Sequence, residues 1–152
     1  MAMQMNGEVQ LPAQREEVWA RLNDTETLKA CIPGCETLDK LSDTEFAAVA
    51  TVKIGPVKAR WRAKVMLSDL DPPNGYRISG EGEGGVAGFA KGGATVALAE
   101  KDGGTLMSYN VDAHIGGKLA QLGQRLVNGA AKKMADEFFA NFAKAVSPPP
   151  PA

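Results

Sequence analysis

The chain has 152 residues, enough for one domain with a core of its own and room for a cavity. Its 44% apolar and 23% charged residues are those of a folded globular protein and not of a disordered or fibrous one. Seventeen Lys and Arg against eighteen Asp and Glu leave a net charge of −1. That balance argues against an overall electrostatic grip on nucleic acid, and no apolar run reaches the roughly eighteen residues of a membrane span.

Residues 4–11 alternate weakly, with Met5, Val9 and Leu11 on one face, and read as a first strand. Pro12 stands where a helix can begin, and 13–23 carry Val18, Trp19 and Leu22 at helical spacing. Thr25 is the expected N-cap of a second short helix containing Leu28 and Ala30, stopped by Ile32-Pro33-Gly34. A meander follows: strands over 36–41, 45–54, 57–67, 76–84, 92–100 and 105–115. Ser42-Asp43, Gly55-Pro56, Asp71-Pro72-Pro73-Asn74-Gly75 and Asp102-Gly103-Gly104 supply turns between them. The cleanest alternation puts Val57, Ala59, Trp61, Ala63, Val65 and Leu67 on one face and Lys58, Arg60, Arg62 and Lys64 on the other.

After Gly116-Gly117 the period changes. Leu119, Leu122, Leu126, Ala130, Met134, Phe138 and Phe142 form one helical stripe, which predicts a single helix over 118–146, weakened in its first half by Gly123 and Gly129. At roughly 43 Å it must lie across the whole sheet. The fold class is therefore α+β: a curved antiparallel sheet of about seven strands, two short helices, and a long C-terminal helix over it. The domain spans 1–146, and the proline run at 147–152 reads as an extended spacer to a missing tail or a partner.

The inward face is unusually small. Ala48, Ala50, Ala59, Ala63, Gly80, Gly82, Gly84, Ala94 and Ala113 all fall on it. Such residues either let the helix approach and the sheet bend, or leave space for an apolar ligand. On the second reading Trp61, Ala63, Gly82, Phe89, Met107 and Tyr109 line the sheet side, and Leu122, Leu126, Met134 and Phe138 the helix side. The Tyr109 hydroxyl is the polar group available to orient such a ligand. The Lys58, Arg60, Arg62, Lys64 stripe is either a solvated face opposite Glu81 and Glu83 or a docking surface for an acidic partner or anionic headgroups.

Catalytic and metal constellations are thin. His114 is the lone histidine and faces outward, which makes neither a triad nor a metal site. Cys31 and Cys35 have three residues between them, not two, and are either bridged or free thiols of a reducing cytoplasm. The fragment Gly80-Glu81-Gly82-Glu83-Gly84-Gly85 has nucleotide-loop spacing, but it lies inside an alternating strand and calls for bending, not phosphate binding. The first residues lack a secretory signal. Neither a catalytic centre nor a cofactor of its own is expected.

Several segments together resemble the carbon monoxide dehydrogenase G-subunit family, within the START-like, SRPBCC or helix-grip, superfamily. They are Gly7-Glu8-Val9, Pro12-Ala13 with Val18-Trp19, the run from Leu28 through Ile32-Pro33-Gly34-Cys35-Glu36, and Lys53-Ile54-Gly55-Pro56-Val57. The resemblance implies a non-catalytic accessory protein of a molybdenum-containing carbon monoxide dehydrogenase or related hydroxylase. It implies a cytoplasmic protein, peripheral at the inner face of the cell membrane and attached there through a C-terminal tail. A respiratory quinone or lipid is then the candidate apolar ligand, and an adaptor that docks the enzyme through the basic stripe without a ligand is the alternative. Some helix-grip relatives are cyclases or hydrolases; the lack of a histidine–carboxylate pair facing the interior counts against that role here.

Overall fold

In the computed structural model, which describes residues 1–146, seven strands form one antiparallel sheet: β1 (Ala2–Leu11), β2 (Cys35–Lys40), β3 (Glu45–Ile54), β4 (Val57–Asp71), β5 (Gly75–Glu83), β6 (Phe89–Lys101) and β7 (Gly104–Gly116). Their order is β1-β7-β6-β5-β4-β3-β2, so the meander runs from β2 to β7 and β1 returns to pair with β7. The predicted spacer at 147–152 lies outside the described residues. Helices α1 (Arg15–Leu22) and α2 (Thr25–Cys31) fill the connection between β1 and β2.

Alternation dictates which side chains meet. Val18 and Leu22 of α1 and Cys31 of α2 pack with Leu11, Phe46, Leu67, Tyr76, Val96, Leu98 and Met107 of the sheet, and with Phe142 and Val146 from the end of the chain's last helix. A second, smaller cluster gathers Met3, Ile115, Leu119 and Val127 at the other end of the inner face. Thr105, fully buried, donates its hydroxyl to the Ala13 carbonyl at 2.8 Å, which satisfies it and ties the entry to α1 onto β7.

Two local expectations are corrected. The N-cap of α2 is Asp24, not Thr25: Leu28 N–H donates to the Asp24 carbonyl at 3.0 Å, and the Thr27 hydroxyl donates to the Asp24 carboxylate at 2.6 Å. That hydroxyl holds the carboxyl below the ordinary aspartate range. The C-terminal helix is two helices, α3 (Lys118–Gln121) and α4 (Gln124–Val146). Gly123 separates them with φ +94°, a conformation open to glycine and costly for other residues, so the chain turns there and α4 proper is roughly 35 Å long. A 3-10 turn, Gly85–Ala87, also sits in the β5–β6 connection, which the sequence reading left without an element between strands 76–84 and 92–100.

Candidate functional site

Between the two core clusters the inner face is built of small side chains in register. One row runs Ala48, Ala63, Gly82, Ala90 across β3 to β6, and the next Val65, Gly80, Gly92, Ala113 across β4 to β7. All eight are half-buried, unlike the clusters that flank them.

The glycines show what stands over this band. A Cβ at Gly80 meets only Lys64 O at 3.3 Å and Val65 Cγ2 at 3.6 Å, and the nearest neighbours of one at Gly82 all belong to β4. No helix side chain closes over either position at that range. Other inward glycines have different reasons. Gly84 makes room for the Trp61 indole, whose Cε2 lies 2.8 Å from an added Cβ, and Gly7 makes room for the Tyr109 ring. Gly92 lets the β7 backbone approach. The small residues thus divide by position: room for a side chain at Gly80 and Gly82, packing or close approach elsewhere.

Helix α4 spans the band with its backbone nearest to α2 and β1 and, more lightly, to α1 and β3. Its aromatic end is anchored: Phe138 stacks on Phe142 at 5.7 Å between centroids, and Phe139 stacks on Tyr109 at 4.9 Å. Its middle, with Ala130, Met134 and Ala135 half-buried, is not. A hollow of about 230 Å³ opens there, between Ala130, Lys133, Met134 and Glu137 of α4 and residues 51–54 of β3, with Pro33 and Gly34 on its rim. It exists because β2 pairs with β3 only as far as Ala50, which leaves the rest of that edge without a strand partner.

The residues singled out from sequence do not all converge on this space. Of them only Met134 lines the hollow; Ala63 and Gly82 lie in the row of small residues, and Trp61 and Leu122 pack on the second cluster. Met107 is buried within the first cluster, and Phe138 belongs to the aromatic stack that borders it. The Tyr109 ring lies between Gly7 and Phe139, with its hydroxyl over Gly7 towards β1. Leu126 is 43% exposed beside Gly55. Phe89 is a correction: it stands opposite Glu83 and Gly116 on the outer face and is 54% exposed. Counting back by twos from the buried Val96 reaches Ala90, so parity along β6 puts Phe89 outside. The sequence reading missed the mouth residues Lys53, Ala130, Lys133 and Glu137; the signal available was the early stop of β2 at its edge.

A larger hollow, about 630 Å³, lies on the outer face over β2 to β6. Ala47, Val49 and Phe89 line it together with the row Ala48, Ala63, Gly82 and Ala90, and Arg62, Lys64, Lys91, Asp39, Glu81 and Glu83 surround them. Register places Arg62 opposite Glu83 and Lys64 opposite Glu81, as a solvated ladder requires. Within the basic stripe, Arg60 alone has an ion pair among the described residues, donating to the Glu36 carboxylate at 2.7 Å. Cys31 and Cys35 are both free, with burial pushing both thiols up from the ordinary range. His114 is exposed on β7. Among the described residues no three of His, Cys, Asp and Glu gather to hold a metal ion, and no helix is long and apolar enough to cross a membrane.

A seven-stranded antiparallel sheet with two short helices after its first strand and a long helix across its inner face defines the START-like, helix-grip class. Solved members confirm the architecture: a START superfamily protein from Mycobacterium smegmatis (TM-score 0.71, 11% identity, covering 94% of this chain and 96% of that one) and the Zhui aromatase/cyclase from a Streptomyces species (TM-score 0.70, 11% identity, 96% and 94%). At such identities the likeness shows the fold alone. A conserved protein from Geobacillus kaustophilus is nearer, at TM-score 0.89 and 33% identity over 95% of both chains. The chain belongs to the carbon monoxide dehydrogenase G-subunit (CoxG) family, whose pattern matches residues 7–147, and that membership suggests an accessory role to a carbon monoxide dehydrogenase. No curated protein sequence matches the chain.

Proposed function

We propose that the protein is a non-catalytic accessory protein of a molybdenum-containing carbon monoxide dehydrogenase or related hydroxylase. It holds an apolar ligand between its sheet and α4 and helps couple the enzyme to the membrane. The observation that carries this reading is the band Ala48, Ala63, Gly82, Ala90, in register on four neighbouring strands and not closed over by the helix. A close-packed core has no use for such a band. The row itself is alanine and glycine, so the part of the ligand lying there must be apolar too, and its polar end belongs at the mouth beside Lys53, Lys133 and Glu137. A respiratory quinone fits that division, with an isoprenoid tail under the helix and a ring near solvent, and the electrons released by a carbon monoxide dehydrogenase need an acceptor of that kind. Such a container works through binding alone.

The test is mass spectrometry of what the purified protein carries, together with uptake of an added quinone. Gly82→Phe puts a ring into the band and is expected to cut uptake at least about tenfold while leaving the melting temperature nearly unchanged. Wild-type protein that stays empty and takes up nothing sinks the ligand. The outer hollow favours a second reading, an adaptor that docks the enzyme there without a ligand. Charge reversal at Arg62 and Lys64 separates the two, since it breaks a pull-down of the enzyme and leaves ligand content alone.

A further inference from the structure

The near-zero net charge conceals a segregation made by the topology. Alternate turns of a meander fall at opposite ends of its sheet. The β2–β3, β4–β5 and β6–β7 turns carry Asp43, Asp69, Asp71 and Asp102 to one end. The β3–β4 turn, the β5–β6 connection and the start of the C-terminal helices come together at the other, where Gly88 lies against Gly116 and Gly117, and Leu126 against Gly55. Residues 51–60, 84–93 and 116–135, which build this second end, include no carboxylate.

Two of its cations are paired, Arg60 with Glu36 and Lys132 with Asp136, and the rest are unspent. Lys53, Lys58, Lys118 and Arg125 make no ion pair among the described residues. Lys53 and Lys58 even stand directly opposite each other across β3 and β4, a like-charge pairing that costs stability unless something anionic meets it. Apolar side chains project among them. Val86 is 82% exposed on a loop bounded by Gly84, Gly85 and Gly88, and Leu126 is 43% exposed. The mouth of the interior opens beside this end, through Lys53 and Ile54.

We propose that this end of the folded domain is itself a membrane-docking surface, seating on bilayers that contain anionic lipid. The four cations meet headgroup phosphates, and Val86 and Leu126 enter the interfacial region. A protein partner would need a matching socket for a lone valine on a glycine loop, whereas the headgroup layer accepts one without it. Docking in this pose turns the mouth towards the lipid, the phase that stores apolar ligands. The proposal rests on the membrane part of the function argued above and not on the ligand: vesicle binding by protein that stays empty and takes up no added quinone keeps the first and sinks the second.

Co-sedimentation of the whole chain with phosphatidylcholine vesicles, with and without phosphatidylglycerol, tests it. The expected result is binding to the anionic vesicles only, weakening as salt is raised. Lys58→Glu with Arg125→Glu lowers the partition about thirtyfold or more, and Val86→Asp lowers it further. Lys40→Glu with Lys101→Glu, at the opposite end, leaves it unchanged, and thermal melts show that each variant is folded. Absence of wild-type binding, or equal loss from both charge pairs, overturns the proposal. So does a Lys58→Glu, Arg125→Glu chain that keeps its vesicle binding but no longer captures the dehydrogenase, because the end then belongs to the enzyme.

Discussion

The two parts of the inner face that α4 crosses are built on different terms. At the aromatic end, Leu11, Val18 and Phe142 have no exposed surface, and rings interlock: Trp19 meets Tyr76 edge-on at 5.3 Å and Phe138 stacks on Phe142. In the middle, alanines and glycines lie half-buried under a stretch of helix that offers Ala130, Ala131, Met134 and Ala135. The first region anchors the helix, and that anchoring lets the second remain thin. Stability and binding are therefore assigned to different residues of one sheet, and substitutions can separate them.

The largest expected effect belongs to the anchored end. Phe142→Ala removes a ring with no exposed surface and should cost about 3–5 kcal/mol, read in a denaturant melt. The same truncation of Met134, in the half-open middle, should cost markedly less; equal costs would mean that the middle is as well packed as the end. Next come two glycines in the same segment. Gly84→Ala drives a Cβ to 2.8 Å from Trp61 and should destabilise by about 1–3 kcal/mol. Gly82→Ala meets only ordinary contacts and removes a flexible residue from a strand, so it should be neutral or stabilising by up to about 1 kcal/mol. Opposite signs two positions apart are the sharpest test that space stands over Gly82 and a side chain over Gly84.

How much of this was legible beforehand follows from the range of each signal. Alternation in β4 and the turns at Gly55-Pro56 and Asp102-Gly103-Gly104 are local, and they placed the meander and its inner face. The rows of small residues were readable because hairpins fix register. The break at Gly123 was visible only as a weak helix former, because a helix-long apolar stripe continues across it while φ does not. Phe89 was misplaced because glycines on both sides hid the start of β6, and without a start the parity was lost. The free edge of β3 depends on where β2 stops pairing, and the basic end on which turns come together in space; both are long-range facts. Lys53 and Lys58 could have been paired from the two-residue turn between Ile54 and Val57 alone.

The smallest effect probes the anchored end from inside. Tyr76 is 6% exposed in the first cluster, and burial pushes its phenol above the ordinary tyrosine range, since the phenolate would lose its water there. In the unfolded chain the same group ionises near pH 10. The folded state thus holds the proton longer, so this group's contribution is fully present below about pH 10 and is lost as pH rises beyond it, at about 1.4 kcal/mol per pH unit. The folded Cys31 and Cys35 thiols, also raised, have the same sign and begin the loss earlier, near pH 8.5. Tyr76→Phe keeps the ring against Trp19 and removes the titration, so its stability should fall less steeply than that of the wild type between pH 10 and 11. Parallel alkaline limbs for the two proteins would show that water reaches Tyr76 and that the anchored end is looser than its packing implies.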